Sequence, residues 1–257
     1  MRTFHGIIAG LFFFVAGFSA AIAEATQMSS VGVLRGIETT ISEYGYADVV
    51  DSDNVAGYLP YNNSVSATNG GIPSSNGSAD QNSWINMASD TIHASGTAYG
   101  DAAWSGFSGG ASVNSYSGFQ YTFDVLSPSD YLFSGNGSAV RNVSNSLEAE
   151  VYADIYAKLY DVNNSTYLHN FWVGTDGTYG FNFTGTLAPS RYQVAISGAV
   201  DVRSTYDEQF VDATASYSMN FQLAPAGTGT TVPEPSASVL LLLGLAALTA
   251  TRRRRNS

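Results

Sequence analysis

Apolar and polar residues alternate one for one along most of the chain after residue 110, a pattern that predicts strands rather than helices. The longest case runs from Leu147 to Tyr160. Leu147, Ala149, Val151, Ala153, Ile155, Ala157 and Leu159 fall on one face; Glu148, Glu150, Tyr152, Asp154, Tyr156, Lys158 and Tyr160 fall on the other. A helix would need apolar residues three and four apart, and here those offsets mix Glu and Lys with Leu and Ile. The same alternation runs through Phe119, Tyr121, Phe123 and Val125, through Tyr192, Val194 and Ile196, and through Ala213, Ala215, Tyr217, Met219, Phe221 and Leu223. Turn signals separate these runs: Ser127-Pro128-Ser129-Asp130, Gly135-Asn136-Gly137, Asp161 to Ser165, and Ala188-Pro189-Ser190. Asp176-Gly177, flanked by Tyr167 to Val173 and Tyr179 to Leu187, predicts a β-hairpin.

The N-terminal half carries a weaker pattern. Asp51 to Ser83 is rich in Ser, Asn, Gly and Ala, a composition that suits either a flexible segment or strands with small side chains. Trp84, Ile85, Ile92, Tyr99, Trp104 and Phe107 follow soon after, so Val31 to Asn114 is expected to supply the first strands of the same domain, joined by long loops. Short one-sided strands with turns between them can hide their apolar faces only against each other. The expected fold is therefore all-β: one antiparallel β-sandwich, jelly-roll-like, over residues 24–225. No strand-helix alternation is present, which argues against a parallel-sheet enzyme. A flexible stalk is expected over residues 226–231.

The two termini differ from this interior. Arg2, the apolar stretch from Ile7 to Phe18 and the small-residue site Ala21-Ile22-Ala23 have the layout of a secretory signal helix. Cleavage is expected after Ala23, with Ala25 as the second choice and an uncleaved anchor as the other reading. At the far end Val232-Pro233-Glu234-Pro235-Ser236 precedes an uncharged apolar run from Ala237 to Ala250, then Arg252, Arg253, Arg254 and Arg255. The prolines keep the motif extended and accessible. Leu and Ala favour a helix after it. Four arginines resist translocation and hold the C-terminus in the cytoplasm. A terminal core helix is the competing reading, since 14 apolar residues fall short of the ~20 of a comfortable span, but such a helix has no use for the arginines.

These residues, Val232 to Ser236, the helix and the arginine cluster, resemble the PEP-CTERM sorting signal of exported proteins in Gram-negative bacteria that make exopolysaccharide. The resemblance covers only the tail. It implies that a membrane protease-transpeptidase, an exosortase, recognises Pro233-Glu234-Pro235, removes the tail and passes the protein from the inner membrane to the cell surface or extracellular matrix. The succession FQYTFDVLSPSDYLFSG, EVYADIYAKLYD and TGTLAPSRYQVAISG also resembles, in outline, β-sandwich domains common among such exported proteins.

Removing both ends changes the charge. Arg35, Arg141, Lys158, Arg191 and Arg203 remain against 20 acidic residues, since Glu234 leaves with the tail, a net charge of −15 for the exported part. Such a surface repels nucleic acid and anionic lipid and suits a soluble exported protein, divalent cations or a hydrated matrix. The absence of cysteine means the sandwich has no disulfide staples, and about 200 residues can bury a core without them.

Candidate chemistry is sparse. Gly106-Phe107-Ser108-Gly109-Gly110 satisfies G-x-S-x-G but lies in a Gly- and Ser-rich stretch rather than between a parallel strand and a helix, and His93 and His169 are the only histidines of the mature part. No H-E-x-x-H, cysteine pair or phosphate loop occurs, so no catalytic residue and no transition-metal cofactor is assigned. Asp51, Asp53 and Asp161 stand in Asp/Asn-rich stretches read as loops that could offer oxygens to calcium, though Asp and Asn are also ordinary turn formers. Tyr152, Tyr156 and Tyr160 form a stripe that could stack on sugar rings or pack against a neighbouring strand. A glycan hydrolase would need Glu148 or Glu150 to face a carboxylate from an adjacent strand; the two lie about 7 Å apart along their own strand. The sequence thus points first to a non-enzymatic exported surface or matrix protein associated with exopolysaccharide, and second to a carbohydrate-binding module.

Overall fold

Alternation along each strand becomes, in three dimensions, a pair of sheets that each bury one face. The computed structural model describes residues 27–70, 74–104, 109–144, 150–205 and 209–227. Their regular structure is all β: β1 (Met28–Glu43), β2 (Val49–Val55), β3 (Tyr61–Asn69), β4 (Ser75–Asn86), β5 (Thr91–Trp104), β6 (Ala111–Val125), β7 (Ser129–Val143), β8 (Glu150–Asp161), β9 (Thr166–Val173), β10 (Gly177–Leu187), β11 (Arg191–Ser204) and β12 (Gln209–Pro225). The first sheet has the order β2-β1-β6-β11-β8-β9 and the second the order β10-β7-β12-β5-β4-β3. Every pairing is antiparallel. No helix among the described residues is long and apolar enough to cross a membrane. The predicted signal segment with Ala21 and Ala23, the motif Val232 to Ser236, the C-terminal helix and Arg252 to Arg255 lie outside the described residues.

The core lies between the sheets and is graded in size. Phe119, Tyr121 and Phe123 of β6, Phe133 of β7 and Phe221 of β12 fill one end, with Tyr121 stacked on Phe123 and Phe133 edge-on to Phe221; the Phe123 and Phe221 centroids are 5.3 Å apart. Toward the other end the inward positions of β5 are Ala94, Ala98 and Ala102, interleaved with Gly96 and Gly100. Small residues are required there because the sheets come close. A Cβ on Gly100 would meet the Val113 side chain at 3.0 Å, and one on Gly137 would meet Ile155 at 2.9 Å.

The strands read from β8, β6, β11 and β12 appear with the expected faces: Ala153, Ile155, Ala157 and Leu159 are buried while Tyr152 is exposed. Leu147, Glu148 and Ala149 lie outside the described residues. Several expectations are corrected. Asp51 to Ser83 forms β2, β3 and most of β4, with connections of a few residues rather than long loops; its inward positions, such as Ala67, Gly77 and Ala79, are small because they oppose the first sheet at close range. Gly135-Asn136-Gly137 is no turn but the middle of β7, where a Cβ on Gly135 would meet the Phe181 ring at 2.7 Å. Asp176-Gly177 makes no hairpin either. β9 pairs with β8 and β10 pairs with β7, so the turn between them arches from one sheet to the other. Gly177 supplies its φ of 133°. Arg141 of β7 clamps the arch, its Nε donating to Asp176 Oδ1 at 2.8 Å and its Nη2 to the Gly174 carbonyl at 2.8 Å.

Candidate functional site

The tyrosine stripe of β8 points away from the core, onto the outer face of the first sheet. Registers place its neighbours. One row across the sheet reads Gly118 (β6), Ser197 (β11), Tyr156 (β8) and Trp172 (β9); a row four residues along β6, β11 and β8, and five along β9, reads Thr122, Gln193, Tyr160 and Tyr167. Between them lies Gln120, Ala195, Lys158 and Asn170. Tyr152 pairs with Asp201 further along β11. Trp172 is 64% exposed, Tyr167 54% and Tyr152 52%, whereas Tyr156 and Tyr160 are half-buried by these neighbours.

Two features set the rings in place. Strict alternation from inward His169, which pairs with inward Leu159, would send Leu168 outward and Tyr167 inward. Instead the register shifts between Leu159 and Tyr160, and Tyr167 comes to stand beside outward Tyr160 with ring centroids 4.9 Å apart. The bulge thus turns two consecutive side chains, Tyr167 and Leu168, to the outer face. Secondly, rings lie over glycines: the Trp172 indole occupies the volume a Cβ on Gly174 would need, and the Tyr116 phenol does the same at Gly118. Partial burial, with the Tyr167 hydroxyl bonded alongside, raises the Tyr156 phenol above its ordinary value. Burial likewise raises Tyr116, against the effect of its hydrogen bond with Ser197. Lys158 Nζ sits 5.7 Å from the Tyr160 ring centroid and 5.9 Å from that of Tyr167.

The remaining candidate residues have structural partners. Asp51 and Asp53 lie within β2, not in a loop, and pair with inward Thr39 and Ile37 of β1. Their carboxylates reach the edge strand of the other sheet: Asp51 Oδ2 accepts from the Ser66 amide at 3.0 Å, and Asp53 Oδ2 accepts from Tyr61 Oη at 3.0 Å and Asn63 Nδ2 at 2.6 Å. Asp161 does close a turn, accepting from the Asn164 amide at 3.1 Å, Asn164 Nδ2 at 2.8 Å and Ser190 Oγ at 3.3 Å. Burial works to raise its carboxyl, but those donors outweigh it and hold the group below the ordinary range. Oxygens filled by N–H and O–H donors suit turn and edge closure better than a cation. Among the described residues no three His, Cys, Asp or Glu converge as a metal site.

The histidines and Glu150 of the candidate catalytic patterns also have partners among the described residues. Ser108 lies outside the described residues. His93 is on β5 of the second sheet, where Nδ1 donates to Asn220 Oδ1 at 2.9 Å and the ring stacks on Trp84. His169 is on β9 of the first sheet but points inward, sharing a hydrogen bond with Tyr131 Oη and stacking on Phe183 at 4.1 Å. Burial lowers its pKa. Glu150 is ion-paired with Arg203 at 3.1 Å. Arg35, 3% exposed, donates to the Gly57 carbonyl at 2.6 Å between the rings of Tyr61 and Phe119. Arg191 binds Asp124 with both Nε and Nη2.

Sequence reading found Tyr152, Tyr156 and Tyr160 but missed Trp172, Tyr167 and Tyr116. The density of aromatics in Tyr167, Phe171 and Trp172 was the available signal, and it does not say which rings face out.

The chain is thus a two-sheet antiparallel β domain followed by a distinct tail. A family profile, that of the PEP-CTERM protein-sorting motif, matches residues 231–255, so the chain carries the sorting signal of exosortase substrates. No curated protein matches the chain. Among solved structures, the GH31 α-xylosidase Xac1773 of Xanthomonas citri aligns at 10% identity and a TM-score of 0.18, over 77% of this chain and 28% of the xylosidase. A structure of the Gx strain of infectious bursal disease virus aligns at 10% identity and a TM-score of 0.15, covering 89% of this chain and 75% of that one. The VP2 subviral particle of the same virus gives 10% identity and 0.14, covering 91% and 74%.

Proposed function

We propose that this chain is a non-enzymatic exported surface or extracellular-matrix protein, carried across the inner membrane by its N-terminal signal, processed by an exosortase and retained in exopolysaccharide. The observation that carries the reading is the sorting motif at residues 231–255, following a two-sheet sandwich whose last strand ends at Pro225. The charged groups of that sandwich support a non-catalytic role: Arg141, Arg191 and Arg203 are spent on Asp176, Asp124 and Glu150, and Asp51, Asp53 and Asp161 on edges and turns. The uncovered aromatic face of β8 and β9 favours a carbohydrate-binding module as the form that retention takes.

The test is localisation of the tagged full chain in a host with an exosortase. Wild type is expected at the surface without its tail, and replacing Pro233, Glu234 and Pro235 with Ala should leave the uncleaved chain in the inner membrane. Equal surface delivery of both would overturn the reading. Changing Arg252 to Arg255 to Ser should expose a C-terminal tag outside the membrane.

A further inference from the structure

We infer that the outer face of β6, β11, β8 and β9 is a binding platform for an extended, uncharged polysaccharide, with Tyr116, Tyr156 and Trp172 as its stacking rings. The inference rests on the matrix-protein reading only for how the platform meets its ligand; the site itself stands on geometry.

Four observations lead there. The three rings form a band across the strands, since Tyr116 covers Gly118, and Gly118, Ser197, Tyr156 and Trp172 share one row. Three strand spacings make that band about 14 Å long, which suits an oligosaccharide segment rather than one sugar. The rings at both ends lie over a glycine instead of standing off the sheet, Trp172 on Gly174 and Tyr116 on Gly118, and both remain exposed. A ring face matches the C–H face of a pyranose, as it matches other flat apolar groups. The side chains between and beside the rings are short or polar, Ser197 within the band and Gln193, Asn170 and Asp154 around it, and these can bond hydroxyls. Finally, the bulge in β9 spends one residue to bring Tyr167 out beside Tyr156 and Tyr160, a local departure from regular pairing of the kind that re-aims a side chain at a site.

Charge selects the class of glycan. The exported part carries −15, and the described cations of this face are engaged: Lys158 is held over Tyr160 and Tyr167, Arg191 is paired with Asp124 and Arg203 with Glu150. A uronate- or sulfate-bearing polymer would be repelled, as would a second copy of this chain. An uncharged glycan meets neither obstacle.

Affinity electrophoresis tests this directly with the full chain in a polyoxyethylene detergent, run through gels holding hydroxyethylcellulose, arabinoxylan or galactomannan and, separately, polygalacturonate. At least one neutral glycan should retard the protein and polygalacturonate should not. Trp172→Ala and Tyr156→Ala should each weaken retardation roughly tenfold or more, while Trp84→Ala, which removes an exposed ring from the opposite sheet, should leave it unchanged. Thermal midpoints of Trp172→Ala and wild type should agree. No retardation by any neutral glycan, equal loss in Trp84→Ala, or stronger retardation by polygalacturonate would overturn the inference. So would sedimentation showing that Trp172→Ala merely dissolves a dimer without changing retardation. Surface delivery separates the two readings: Trp172→Ala delivered like wild type but with lost glycan binding supports both, whereas a wild-type chain that stays in the inner membrane but binds glycan sinks the sorting proposal alone.

Discussion

Gly96 shows how much a single residue decides when two sheets meet at close range. It faces inward from β5, and a Cβ there would press on Ser117 Oγ, on the Asp80 carbonyl and, at 2.8 Å, on Tyr217 Oη. Those are the members of a buried network: Ser117 Oγ donates to the Asp80 carbonyl at 2.6 Å and lies 2.9 Å from Tyr217 Oη. Because one obstacle is backbone, no rotamer change relieves the clash. Gly96→Ala is therefore expected to cost about 2–3 kcal/mol, from overpacking together with a strained buried hydrogen bond. Glu150→Gln, at an exposed ion pair with Arg203, should change stability by about 0.5 kcal/mol or less. Urea unfolding of both variants checks the contrast, and equal effects would contradict the assignment of inner and outer faces.

At the scale of elements, the two sides of the sandwich treat their edges differently. Where β2 and β3 border the open side, Asp51 and Asp53 reach across from one sheet to the edge of the other and satisfy the Ser66 amide, Tyr61 and Asn63. Replacing both with Ala should cost about 1–3 kcal/mol in all and leave an unpaired edge amide, a template for another strand. Urea midpoints and light scattering would register the loss and the association; a variant as stable and as monomeric as wild type would show the carboxylates free for another task. Millimolar calcium should move the wild-type midpoint no more than sodium chloride of equal ionic strength, since calcium would have to displace those donors. The same elements show what a sequence can and cannot convey. β8, β11 and β12 were legible because large apolar residues alternate with polar ones at period two. β3 and β4 were obscure because most of their inward positions are small or polar, Ala67, Asn69, Ser75, Gly77, Ala79, Gln81 and Ser83, whose burial depends on how near the opposite sheet lies. The Asp176-Gly177 arch and the β7 glycines misled because a glycine signals an unusual turn and a close approach in the same way. The bulge that brings Tyr167 to the platform breaks alternation by one residue, and only pairing with β8 reveals it.

For the whole molecule the governing quantity is the net charge, and its effect on stability can be worked out by sign. Burial raises the carboxyls of Glu43 and Asp101, the latter despite hydrogen bonds from Asn76 and Tyr99. A folded pKa above the unfolded value means that stability is withheld at neutral pH and recovered as pH falls through the folded value. Mutual repulsion among the excess of carboxylates relaxes over the same range. His169 works the other way: burial lowers its pKa, so the unfolded chain takes up a proton first, near the ordinary value of ~6.5, and the folded state loses ground there. Asp80 is raised by burial as well, so one histidine opposes three carboxyls and the repulsion of the whole surface, and the thermal midpoint at low salt should be higher near pH 5 than near pH 7.5. His169→Phe, which keeps the stack on Phe183, should enlarge that gain. Added salt should shrink it by screening the repulsion. Further acidification must reverse the trend, because Asp124, held down by its hydrogen bonds from Arg191, and Asp161, held down by Asn164 and Ser190, contribute stability only while ionised. Their contribution is present above the ordinary carboxylate pKa and disappears as pH falls through the lower folded values. A midpoint that declined steadily from pH 7.5 to pH 5, in wild type and His169→Phe alike, would show that buried polar contacts rather than surface charge govern the stability of this sandwich.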